Sequence, residues 1–169
     1  GKVPFYEPGL EDLLATHVAS GKLRFTDSFE EAGAFGDIHF VCVGTPQRHD
    51  GLGADVRYVD SAVDALAPYL TDGALVIGKS TVPVGTAERL SDRIAELAPD
   101  VEAELAWNPE FLREGFAVED TLRPDRLVFG VASQRAEGVL REFYAPVIAT
   151  GTPVVVTDFA TAELVKVSA

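Results

Sequence analysis

Six short runs rich in β-branched and aromatic residues alternate along this chain with stretches whose apolar residues recur at helical spacing. The runs fall at residues 23–26, 38–43, 75–77, 103–107, 127–130 and 154–156. Leu10, Leu13, Leu14 and Val18 mark a first helix, which Gly21 stops. Ser28-Phe29-Glu30-Glu31 has the S-x-x-E form of a capping box and opens a second, ending near Phe35. Asp55 opens a third, with Val56, Val59, Val63 and Leu66 on its core face. Leu90, Ile94 and Leu97 mark a fourth, residues 133–144 a fifth, and residues 161–169 a last. The run Ile38-His39-Phe40-Val41-Cys42-Val43 is almost continuously apolar, as a parallel strand covered on both faces is. Strand and helix in alternation predict an α/β fold around a parallel sheet.

The chain has 169 residues and is 47% hydrophobic, enough for one sizeable core and incompatible with disorder. No apolar run has the length of a membrane span, and no signal-peptide pattern opens the chain. A net charge of −13, from 14 basic and 27 acidic residues, argues against nucleic acid or an anionic membrane as partner. A small anionic ligand remains compatible, since a few local cations and helix N-termini hold one. The single cysteine, Cys42, excludes an internal disulfide and fits a reducing, cytoplasmic compartment. Methionine is absent, position 1 included, so the chain reads as a piece of a longer protein.

In an open parallel sheet, ligands sit on the loops that leave the carboxyl ends of strands. Gly78-Lys79-Ser80-Thr81-Val82-Pro83-Val84-Gly85-Thr86 is such a loop. Pro83 and Gly85 keep it irregular, and Thr86 is the expected N-cap of the helix beyond, with Glu88 in its first turn. Gly44-Thr45-Pro46 and Asn108-Pro109-Glu110 also follow strands, so Thr45, Thr81 and Glu110 are expected on one rim.

Six segments in order carry a resemblance. They are Tyr6-Glu7-Pro8-Gly9-Leu10, Val43-Gly44-Thr45-Pro46, Lys79 to Thr86, Asn108 to Gly115 (N-P-E-F-L-R-E-G), Arg123-Pro124-Asp125-Arg126 and Ala162-Glu163-Leu164-Val165-Lys166. Together, over essentially the whole chain, they resemble the UDP-glucose/GDP-mannose dehydrogenase family, and its UDP-glucose branch in particular. The resemblance implies a Rossmann-like doubly wound parallel sheet that lacks its first β-α-β unit, the unit carrying the glycine-rich dinucleotide fingerprint. It assigns residues 1–158 to the remainder of an N-terminal NAD-binding domain and 159–169 to the start of a central connecting helix. The nucleophilic cysteine and a second domain are expected beyond Ala169, and the whole protein is expected to be a homodimer.

The activity implied is oxidation of the primary alcohol of UDP-glucose to UDP-glucuronate, using two NAD+ and a cysteine-bound thioester, with this segment inactive alone. By the same resemblance Thr81, Glu110 and Lys166 are catalytic: Thr81 holds water or the reacting oxygen, Glu110 is a general base, and Lys166 stabilises an oxyanion. Val43, Gly44, Thr45, Pro46, Ser80, Thr81, Val82 and Glu114 are expected against NAD. Glu110, Phe111, Leu112, Arg113, Glu114 and Lys166 are expected along the nucleotide sugar. GDP-mannose or UDP-N-acetylmannosamine as substrate, or a non-catalytic nucleotide-sugar module, are the alternatives.

Each residue also has a plainer reading. Glu110 is an exposed loop carboxylate, Thr81 a strand-end threonine bonded to local backbone, and Lys166 one half of a surface ion pair with Glu163 three residues earlier. Cys42, inside an apolar run, reads as a buried small hydrophobe rather than a nucleophile. His17, His39 and His49 are scattered, and Asp50 and Asp55 lack calcium-loop spacing, so no metal is expected. Asp50 and Asp55 read as turn and cap residues.

Overall fold

The computed structural model describes residues 3, 5–49, 51 and 53–168; Asp50, assigned above to a turn, lies outside them. Among the described residues one five-stranded sheet forms, in the order β1 (Ile38–Val41), β2 (Leu75–Gly78), β3 (Glu104–Trp107), β4 (Leu127–Val131), β5 (Val154–Thr157). The helices are α1 (Leu10–Ala19), α2 (Phe29–Phe35), α3 (Arg57–Leu66), α4 (Thr86–Leu97), α5 (Ala117–Leu122), α6 (Gln134–Phe143), α7 (Ala145–Ile148) and α8 (Phe159–Ser168).

The pleat sorts the strand residues between two cores. Val41, Val76, Leu105, Trp107 and Val128 face α3, α4 and α8, while Leu75, Ile77, Ala106, Leu127 and Phe129 face α6. Alternate residues of one strand are thus buried on opposite sides, which is why β2 and β4 read as continuous apolar runs. On the helices, Val59, Val63 and Leu66 of α3 and Leu90 and Ile94 of α4 form the predicted core stripes.

The expectation of a wholly parallel sheet needs one correction. β1, β2 and β3 are mutually parallel, but β4 pairs antiparallel to β3, with Trp107 opposite Gly130. β5 is then parallel to β4. A parallel partner for β3 would need a crossover that carries the chain back along the sheet. The segment between β3 and β4 holds only the six-residue α5, so β4 starts at the end where β3 stopped. The reversal has a consequence for the site. α8 follows a downward strand and therefore climbs back to the rim formed by the ends of β1–β3.

Residues 23–26, expected as a strand, form none. No strand lies beside them among the described residues, and without a ladder an extended segment has no strand hydrogen bonds. The capping box at Ser28 is half made. Ser28 Oγ accepts from Glu31 N at 3.1 Å, but the Glu31 carboxylate turns to Thr26 Oγ1 and Arg24. The third helix begins at Arg57 rather than Asp55, whose carboxylate accepts from Arg57 N. Cys42 lies just past β1 and is exposed, not buried. Among the described residues no helix is long and apolar enough to cross a membrane.

Two predictions follow from the packing. Gly78 ends β2 directly against the Trp107 ring, and a Cβ there would overlap that ring. Gly78→Ala is expected to lose about 3 kcal/mol, read as a lower denaturation midpoint at unchanged slope. His39 on β1 keeps its Nε2 buried without a hydrogen-bond partner among the described residues. Burial pushes its pKa below 6.5, against the opposing pull of Asp37 and a Gly36 backbone bond. On acidification the unfolded chain therefore takes up this proton first, and stability falls as pH drops below 6.5. His39→Phe should flatten this part of a melting-temperature profile.

Candidate active site

The rim at the ends of β1–β3 is cross-stitched by short polar side chains. Ser80 Oγ donates to Val43 O at 2.6 Å, and Thr45 Oγ1 donates to Thr81 O at 2.7 Å. Lys79 N donates to Val41 O and Asn108 N to Gly78 O, carrying the ladder one step past the strands. The β1 and β2 tips are thereby held to each other, and Gly44 and Pro46 are left exposed at the surface of this wall. Ser80 and Thr45, expected against the cofactor, spend their hydroxyls on this stitching. The Thr81 hydroxyl makes no hydrogen bond among the described residues. Val82 is buried under the loop.

Glu110 and Lys166, far apart in sequence, meet at this rim. Lys166 Nζ donates to Glu110 Oε1 at 3.0 Å and stands 5.3 Å from the centre of the Phe111 ring. Both side chains are largely shielded, at 33% exposure for Glu110 and 19% for Lys166. Glu110 Oε2 also accepts from Leu112 N at 2.6 Å, which fixes the carboxylate over its own loop. The surface pair of Glu163 with Lys166 does not form. Glu163 is buried and accepts from Gly85 N and Ala87 N, each at 2.7 Å.

The loop after Glu110 is held by carboxylates that accept from the amides of Leu112, Arg113, Gly115 and Ala117. Arg113 N donates to Asp120 Oδ2 at 2.9 Å, and the Arg113 guanidinium pairs with the same carboxylate while stacking 4.8 Å from Phe116. Gly115 N donates to Glu7 Oε2 at 3.0 Å, and Ala117 N donates to Glu7 Oε1. Leu112, Arg113 and Glu114 are left exposed on the outer side of the loop.

Next to the Glu110–Lys166 pair, on the α6 side of the sheet, lies a cavity of about 540 Å³ lined in part by Lys79, Asn108, Phe111, Arg126 and Tyr144. Asn108 is 1% exposed, and both polar atoms of its side-chain amide have partners. Its Oδ1 accepts from Lys79 Nζ at 3.0 Å and from Tyr144 OH at 2.6 Å, and its Nδ2 donates to Val128 O at 2.9 Å. Burial pushes the Lys79 ammonium down from its usual value, opposed by Cys42 and Glu110. Burial likewise pushes Tyr144 up to about 12. Desolvation pushes the Cys42 thiol up, against the pull of Lys79. A raised thiol pKa is the reverse of what a nucleophilic thiolate needs, so Cys42 stays outside the catalytic set.

Thr86, expected as the N-cap of α4, sits one residue inside it. Gly85 takes the cap position at φ +92°, a left-handed conformation that favours glycine, and Thr86 Oγ1 donates to Pro83 O at 2.7 Å. Sequence reasoning gave no role to Glu7, Asn108 or Tyr144 and gave Glu163 only a surface pairing with Lys166. A carboxylate inside an apolar helical stripe, Ala162-Glu163-Leu164-Val165, was a readable sign that Glu163 points inward to a partner. Nothing local marks Tyr144, which reaches Asn108 only through the fold.

A model of the UDP-glucose/GDP-mannose dehydrogenase family, NAD binding domain, matches residues 1–148. The UDP-glucose 6-dehydrogenase of Rhizobium meliloti (strain 1021) is 45% identical over 168 residues, covering 98% of this chain and 38% of that protein. The UDP-glucose 6-dehydrogenase of Bacillus subtilis (strain 168) is 41% identical, covering 98% and 37%. A solved UDP-glucose dehydrogenase from the hyperthermophilic archaeon Pyrobaculum islandicum superposes with a TM-score of 0.91 at 43% identity, covering 99% of this chain and 39% of that one. A GDP-mannose dehydrogenase from Pseudomonas aeruginosa also superposes at 0.91, with 28% identity and coverage of 99% and 39%. The chain spans less than two fifths of the length of these relatives.

The loop anchoring predicts the effect of Glu7→Ala. Two backbone N–H groups lose their acceptor, and stability should fall by about 1–3 kcal/mol. Hydrogen exchange at Gly115 and Ala117 should speed up, while exchange at the β2 amides stays slow.

Proposed function

Because the chain belongs to the UDP-glucose/GDP-mannose dehydrogenase family and carries part of its NAD-binding domain, we propose that it forms one wall of an NAD-dependent UDP-glucose 6-dehydrogenase. The observation that carries this reading is the 3.0 Å Lys166–Glu110 pair on the rim that also bears Thr81. It places a cation that can oppose an oxyanion and a carboxylate that can take a proton from water within one site. UDP-glucose is favoured as the sugar because relatives of that name are 45% and 41% identical to this chain, against 28% for the GDP-mannose enzyme.

The residues present fit NAD as one wall of a site. The exposed Gly44 offers close backbone approach, and the stitched tips of β1 and β2 form a rigid surface at the carboxyl end of a parallel sheet. Val43, Thr45, Pro46, Ser80, Thr81, Val82 and Glu114 complete the proposed contacts. The 169 residues contain no G-x-G-x-x-G sequence, so the pyrophosphate loop comes from elsewhere in the protein. When bound, NAD accepts a hydride from the sugar carbon in each of two rounds.

The proposed work of this chain's own residues is binding and proton handling. Phe111, Leu112, Arg113 and Glu114 line the sugar nucleotide along their exposed loop. The unbonded Thr81 hydroxyl holds the reacting oxygen or a water. The Lys166 ammonium opposes negative charge that develops on that oxygen, and Glu110 takes a proton from the water that hydrolyses the thioester. The thioester forms on a cysteine supplied by the rest of the protein. Residues 159–169 are the first turns of the connecting helix in this reading, and the whole protein is a homodimer.

The test is NADH formation by the whole protein, followed by absorbance, with UDP-glucose, GDP-mannose and UDP-N-acetylmannosamine in parallel. Turnover is expected with UDP-glucose and none from the 169-residue segment alone. Lys166→Ala should lower kcat by about 10²–10³-fold, the scale of a lost oxyanion donor. Binding of UDP-glucose by calorimetry without turnover would instead mean a non-catalytic module, and preferred turnover of another sugar would move the substrate.

A further inference from the structure

We infer that Glu163 is a positioning residue that sets Lys166 and the Thr81 loop in register with each other. The inference rests on the functional reading above for its kinetic consequence and on geometry for the rest. α4 has no side-chain cap of its own, because Gly85 stands at its N-cap and Thr86 turns its hydroxyl to Pro83 O. Its first amides bond instead to a carboxylate 76 to 78 residues away. Gly85 N and Ala87 N each donate at 2.7 Å to the two oxygens of Glu163. Glu163 is 1% exposed.

That carboxylate sits on α8 three residues before Lys166, so one rigid helix holds both groups. Glu163 bonds in one direction to the helix that the Thr81 loop leads into, and Lys166 reaches in another to Glu110. α8 also packs closely on β4. A Cβ at Gly130 would stand 2.6 Å from the Ala162 Cβ, which leaves the helix little room to slide. Two charge-assisted bonds at a helix N-terminus, where the dipole favours a negative group, hold the rotation of α8 about that contact. A carboxylate is a costly group to bury for stability alone, and an apolar side chain would fill the space. The geometry accounts for it as a register pin between two of the three proposed catalytic groups.

The test compares two cap variants in the whole protein. Glu163→Gln can accept at only one oxygen. It is expected to lower kcat about tenfold, the scale of a sub-ångström misplacement, with the KM for UDP-glucose changed less than about threefold. Ser133→Ala removes the cap of α6 at the opposite end of the sheet and controls for stability. It should lower the melting temperature by a similar amount and leave kcat unchanged. A normal kcat in Glu163→Gln would overturn the inference. Acylation of Lys166, followed by mass spectrometry, supplies a readout independent of turnover. The variant should label faster than wild type as the contact with Glu110 loosens, and equal labelling would overturn the inference even in a protein with no dehydrogenase activity. Wild-type protein inactive on every sugar, with faster labelling in the variant, would sink the functional reading and leave the pin standing. If Glu163→Gln does not fold, Glu163→Asp, which shortens the arm by one methylene, is read by the same two measurements with the same outcomes.

Discussion

The buried side chain of Asn108 holds the rim together. Standing at the end of β3, it bonds through its backbone to the tip of β2 and through its amide to β4, Lys79 and Tyr144. A buried amide costs several kcal/mol if left unpaired, and here each polar atom has a partner. Its bonds come from elements that run both up and down the sheet. The satisfied state therefore exists only when β4 lies antiparallel to β3 and α6 ends beside them. One side chain thus couples the reversal of the sheet to the shape of the cavity at its edge.

That reversal is what brings the last helix of the chain back to the rim. Had β4 and β5 continued parallel, the helix after β5 would have started at the rim and run away from it. With the strands reversed, α8 starts at the far end and delivers Lys166 to Glu110 near its last turn. The loops that meet it are not left to their own conformations. Glu7 holds the loop after Glu110 and Glu163 holds the end of the loop after Thr81, each through two backbone N–H groups. The hydroxyls of Ser80 and Thr45 add two more ties between strand tips. Such a rim is preorganised, and oriented charge needs that rigidity to act on a transition state.

The two lysines on the rim keep different partners. Lys79 is bonded to Asn108 and Tyr144 and shifted down by burial, as expected of a cation that supports the cavity wall. Lys166 keeps a carboxylate partner, with 19% of its side chain exposed. Cys42 stands at the same edge with its thiol pushed up by desolvation, so proximity to Lys79 alone does not make it a nucleophile.

Much of this molecule was legible from residue order. The core stripes of α3 and α4, the centres of all five strands and the Ser28 cap follow from spacing and local chemistry, because such patterns act within one turn or one pleat. The motifs around Thr81, Glu110 and Lys166 placed those residues after a strand, after a strand and on a helix, as they are. The sequence by itself determined the five strands, six of the helices and which loops carry polar groups. Only the tertiary structure decided the direction of β4, the exposure of Cys42, the failure of residues 23–26 to become a strand, and the partners of Glu7, Asn108 and Glu163. Those outcomes turn on pairings between residues tens of positions apart, whose energies exist only once the chain has closed on itself and which no local pattern can encode.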